Sequence, residues 1–211
     1  MVARGRAPVR TVLIVVALLV PPSVAWAAWG SGANPNRPDI PTAEAEPSAR
    51  RPGSLPTPLV QPPGDIQIER DLPFSRLAPL KLFAPTELNA MRNTGVAHVD
   101  IIMTMHEDIR FYVYWLLLAD GAEPAATLHA LDDIYAGGGH EPVEPTPPGV
   151  LARRSPEQAD LPHTTYHAHY VRGRSVLRVD AIGDPGTAVG DTYLPLLREQ
   201  VATFPPGEPS W

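Results

Sequence analysis

The sequence contains no cysteine. Disulfide bonds, thiolate nucleophiles, cysteine-ligated zinc and a lipid-modified N-terminal cysteine are excluded with it. Lysine is almost as scarce, with Lys81 alone against 16 arginines. The common catalytic signatures are also missing. There is no G-x-S-x-G elbow, no phosphate loop ending in Gly-Lys-Ser/Thr, and no dinucleotide G-x-G-x-x-G. His140-Glu141 opens no H-E-x-x-H, because Pro142 follows and Glu144 stands where the second histidine would be. Gly137-Gly138-Gly139 comes after a helical pattern, not before one, so it reads as a helix stop and not as an anion cradle. Asp132-Asp133 and Glu107-Asp108 read as solvated charges and a turn.

Proline is in excess: 27 of 211 residues, against a usual share of ~5%. One compact domain filling the whole chain is therefore not expected. The hydrophobic content of 44% and formal charge of -6 exclude disorder throughout.

The first 36 residues carry only three charges, Arg4, Arg6 and Arg10. Behind them Thr11 to Val20 is unbroken apolar sequence, then Pro21-Pro22 and an A-x-A site at Ala25 and Ala27. This order is that of a secretory signal peptide over 1–27, cleaved after Ala27. A second reading is an uncleaved anchor over 11–29, with Trp26 and Trp29 at an interface. Either version places the rest of the chain outside the cytoplasmic membrane, secreted or held to its outer side. Membrane contact is then expected only through that segment. Cleavage would remove three arginines and no acids, leaving 14 basic against 23 acidic side chains. Such an exported chain lacks the cationic surface that phosphate backbones require, so nucleic acid is not an expected partner.

Residues 28–71 read as a proline-rich spacer, with nine prolines between Ser31 and Pro63. Periodic apolar sequence begins at about Leu72, so the expected domain spans 72–204, with a tail over 205–211. Thr86 to Arg92 reads as a short helix. Val96 to Met105 alternates, with Val99, Ile101, Met103 and Met105 on one side. Ile109 to Leu118 is the strongest strand signal, joined to the preceding one through His106-Glu107-Asp108. A helix with a Leu128, Leu131, Ile134, Tyr135 stripe follows, then an irregular loop over His140 to Pro148. His163 to Val171 and Ser175 to Ile182 form a second hairpin around Arg172-Gly173. A last helix runs from Thr192 to Phe204, with Pro195 in its first turn. The expected fold is α+β: an antiparallel sheet of about four strands in two hairpins, two helices on one face, and a ββα-ββα pseudo-repeat.

Two groups of residues on the other face of that sheet carry the functional expectation. In the first, His163, His167 and His169 share one strand parity and project together. Three neutral imidazoles suit zinc, with Asp180 as a fourth ligand or an orienter. The Arg172-Gly173 turn would set Val171 opposite Arg174, His167 opposite Arg178 and Thr165 opposite Asp180. Solvent-facing histidines satisfy the same pattern, and a guanidinium beside the imidazole opposes a metal ion. The second group is Arg110, Tyr112 and Tyr114, with Arg178, an aromatic and cationic sheet surface of the kind enriched in partner contacts. The leading expectation is an exported, non-catalytic accessory domain that binds an extracytoplasmic protein or glycan, with no cofactor. The alternative is a zinc-binding or zinc-dependent protein using the histidine cluster.

Overall fold

The stretch Phe111 to Leu118 is apolar or aromatic at both parities, the pattern of a strand buried on both faces. In the computed structural model, which describes residues 58–156, 161–185 and 187–207, that strand lies near the middle of a seven-stranded antiparallel sheet. The described residues belong to a compact unit spanning Glu44–Trp211. Its strands are β1 (Asp65–Pro73), β2 (Val96–His106), β3 (Ile109–Leu118), β4 (Glu141–Pro142), β5 (Val150–Arg154), β6 (Thr164–Arg172) and β7 (Ser175–Gly183), in the order β1-β2-β3-β7-β6-β5-β4. Three α-helices accompany them among the described residues: α1 (Pro85–Asn93), α2 (Pro124–Gly137) and α3 (Val189–Thr203). Two 3-10 turns, Phe74–Arg76 and Ala78–Leu80, link β1 to α1.

The class is α+β, but the four-strand, two-helix sandwich is overturned. Three strands were not anticipated. β1 begins inside the stretch read as spacer and crosses its expected end at 71, with four charges in nine residues obscuring its alternation. β4 lies within the proline-dense loop and is only two residues long, and β5 lies just beyond it. The domain also begins earlier than 72, since Leu59 and Val60 pack on the core and the Gln200 amide donates to the Pro58 carbonyl at 2.8 Å. At the other end Gly207 is tied to the β6–β7 turn through Val171 and Gly173. No helix among the described residues is long and apolar enough to cross a membrane. The signal-peptide and anchor segments, 1–27 and 11–29, lie outside the described residues.

Helices cover both faces of the sheet, and the one-faced arrangement fails for that reason. On one face α3 lays Val189, Tyr193, Leu196 and Leu197 over Phe111, Val113, Tyr170, Leu177 and Val179. On the other, α1, α2 and the 3-10 turns bring Met91, Leu131, Leu77 and Phe83 onto Val99, Ile101, Tyr114, Leu116 and Val176. Gly190 lets α3 approach the sheet, because a Cβ there would stand 2.9 Å from the Tyr166 hydroxyl. The helix starts three residues before Thr192, drawn in by the buried Val189, so Pro195 falls in its interior. The missing N–H leaves the Asp191 carbonyl without its ladder donor.

The β6–β7 turn is Gly173-Arg174, with Arg172 paired to Ser175 and Gly173 at φ 54°. His167 therefore faces Asp180, His169 faces Arg178, and Thr165 faces Ile182. The expected register was displaced by two, which changes each cross-strand partner while preserving which face each side chain takes.

Candidate functional site

The covered sheet face holds a polar cluster in the interior. Arg178 and Asp180, alternate residues of β7, point to the same side. The Arg178 guanidinium donates through Nε to Asp180 Oδ2 at 2.7 Å, through Nη1 to Glu87 Oε1 at 2.5 Å, and through Nη2 to the Tyr135 hydroxyl at 2.6 Å. Its Cζ lies 5.3 to 5.6 Å from the ring centroids of Tyr114, Phe83 and Tyr135, so aromatic rings line the cation where carboxylates do not. Arg178 is 3% exposed and Asp180 2%.

Two helices complete the group. α1 begins at Pro85, and Glu87 on its first turn accepts the Ala84 N–H at 2.7 Å through Oε2. Its other oxygen turns inward to Arg178 and also accepts the Tyr135 hydroxyl of α2. Burial would push the Glu87 carboxyl up, but the Arg178 charge and the bonds from Tyr135 and Ala84 outweigh it and hold it below its ordinary value. Asp180 is buried too, and Arg178 with His167 holds it far below the usual carboxylate range. Both acids are therefore ionised. With one guanidinium against two carboxylates, the centre carries one net negative charge whenever the imidazoles are neutral.

The histidines sit on the α2 side of this centre. His167 Nδ1 bonds Asp180 Oδ1 at 3.0 Å. Since Asp180 is ionised, that bond requires the proton on Nδ1. The His167 ring stacks on Tyr135 at a centroid distance of 3.9 Å. His140, just past α2, lies 5.5 Å from His167 and bonds Thr165 Oγ1 through Nε2 at 3.1 Å. Desolvation lowers His140 to about 4, helped by repulsion from His167. His169 is 1% exposed, and desolvation with the nearby Arg178 lowers it to about 3. Its Nε2 is buried without a hydrogen-bond partner among the described residues.

The two expected groups therefore divide differently. His167, His169, Arg178 and Asp180 come together in one interior cluster. His163 does not join them: it precedes β6, and its Nδ1 lies 3.4 Å from Asp184. Tyr112 and Tyr114 are 8% and 1% exposed, stacked on one another at 5.9 Å beneath the helical layer. With Arg178 also buried, the aromatic-cationic surface is an interior, and only Arg110 among those residues is partly open. Nor do His163, His167, His169 and Asp180 draw their donor atoms together. Among the described residues, the one group of three ligating side chains with donors within 4.8 Å of one another is Asp71, His98 and Asp100. Asp132 is no solvated charge either; it takes the Arg153 guanidinium in two bonds of 2.6 and 2.7 Å.

Glu87, Tyr135 and His140 were missed. Tyr135 was visible only as the last member of an apolar stripe, and Glu87 only as a first-turn acid. Nothing in their spacing reveals that two helices carry them to one arginine 91 and 43 residues away. Chemically, the Arg178, Glu87, Asp180 and Tyr135 groups bond one another in the interior, which locks the helical layer to the sheet. Compared with protein-family models, curated proteins and solved structures, the chain matches none.

Proposed function

We propose that the protein is an exported, non-catalytic accessory domain that binds an extracytoplasmic protein by adding an extended segment of that partner to the outer edge of β1. The basic, apolar, A-x-A order of the N-terminal sequence supports export. The observation that carries the binding mode is the asymmetry of the two sheet edges. β4, at one end, is two residues long and contains Pro142, which blunts it as a template. β1, at the other end, runs nine residues and, among the described residues, pairs on one side only, with β2. A strand of that length offers a row of main-chain donors and acceptors, the basis of recognition by strand addition.

Two further features suit a selective edge. Ile66 and Met105, 46% and 37% exposed, provide apolar contacts at one end of it. Asp65, Glu69, Arg70 and Asp71, with the irregularity between Ile66 and Ile68, discourage indiscriminate pairing between copies. Photo-crosslinking in the cells that make the protein tests the reading. The full chain should yield one discrete adduct from a probe at Gln67 or Glu69 and none from a probe at Glu199 on α3. Adducts from Glu199 with none from β1 would refute it, and an adduct of the chain with itself would replace partner binding by self-association.

A further inference from the structure

We infer that Asp71, His98 and Asp100 form a binding site for a divalent transition-metal ion on the β1–β2 ribbon. The site is independent of the strand-addition reading and separate from the histidines of β6. Asp71 and Asp100 are directly opposite one another across the antiparallel pair. Two carboxylates in that relation repel, and a shared cation converts the repulsion into coordination. The third donor reaches the same side by strand alternation. His98 and Asp100, two residues apart in the regular part of β2, project to the same face, while the register shift between Val96 and His98 lets Val96 and Val99 both enter the core.

The three donor atoms lie within 4.8 Å of one another, and His98 Nε2 is in contact with Asp71 Oδ1. Ligands around a tetrahedral ion at 2.0–2.1 Å stand roughly 3.4 Å apart. Closure therefore needs only rotation of Asp71, whose side chain is 65% exposed. Trp115, paired with Asp100 on β3, stands on the same face, and its indole Nε1–H is buried without a hydrogen-bond partner among the described residues. One imidazole and two carboxylates suit zinc or a neighbouring first-row ion better than calcium, which takes six to eight oxygens. The absence of cysteine leaves no thiolate set to compete.

Zinc titration of the chelator-treated full chain by calorimetry tests the assignment, with cobalt absorption as a second readout. The expected result is one saturable site, weakened at least tenfold in Asp71→Asn and in His98→Gln and unchanged in His163→Gln. Thermal melts of the metal-free variants confirm that both exposed substitutions keep the fold. If His98→Gln does not fold, the cobalt spectrum of Asp71→Asn decides alone. Unchanged affinity in Asp71→Asn and His98→Gln, or no saturable binding at millimolar zinc, overturns the site. Loss of binding in His163→Gln would move the metal to the β6 histidines.

Discussion

Arg178 and Asp180, two residues apart on β7, are bonded to each other inside the protein, Nε to Oδ2 at 2.7 Å. Their strand places them on one face, and the helices α1 and α2 close over that face. What would be a surface ion pair on a half-open sheet is here a desolvated one. Its stability depends on every remaining donor and acceptor being used.

Replacing Arg178 with methionine leaves Glu87 and Asp180 buried without their cation. Breaking a buried pair in this way costs about 3–5 kcal/mol. Urea unfolding of Arg178→Met should therefore show a midpoint far below that of the parent. Arg178→Lys should recover only part of the loss, because an ammonium cannot reproduce the planar fork that spans Asp180, Glu87 and Tyr135.

Tyr135→Phe removes the hydroxyl that donates to Glu87 and accepts from Arg178 while keeping the ring stacked on His167. The expected cost is about 1–3 kcal/mol, that of leaving buried partners unsatisfied. A double-mutant cycle with Glu87→Gln should show strong coupling, since both substitutions act on one bond.

Stability should fall on acidification from near pH 6.5. His140 and His169 are lowered in the folded protein from 6.5 to about 4 and about 3. The unfolded chain therefore binds protons first, and their contribution, full above 6.5, is lost as pH drops toward the folded values. For the fully buried His169 each unit of separation corresponds to about 1.4 kcal/mol, whereas solvent screening makes the share of the half-buried His140 smaller. Glu87 and Asp180, also lowered, add a second loss below their ordinary values of 4.5 and 3.8. Unfolding free energy measured from pH 7 to 4 should decline, and His169→Gln should flatten the upper part of the curve. A profile unchanged by that substitution would contradict the assignment.

The sequence made the central elements legible. β2, β3 and the β6–β7 hairpin follow from alternation, and all three helices appear close to their expected positions. The second buried face was also present in the sequence, in Leu116, Leu118 and Val176. These share the parity of Tyr112, Tyr114 and Arg178, and they have no reason to face water. Reading Tyr112 and Tyr114 as polar concealed that signal. The register of β6 on β7 turned on one residue, because Arg172-Gly173 and Gly173-Arg174 are both acceptable two-residue turns. Convergence of Glu87 and Tyr135 on Arg178 is a tertiary fact, set by helix placement rather than spacing.

Hydrogen–deuterium exchange on the full chain, free and in its crosslinked partner complex, tests the proposed role of the β1 edge most directly. Exposed amides on an edge strand exchange through fast local opening. The account predicts that slowing on complex formation is concentrated in residues 65–73, with the α1 and α2 layer unchanged. Slowing over α1 and α2 with β1 unaffected would contradict it, and would return the partner to the face that Arg178 and Tyr114 lie beneath.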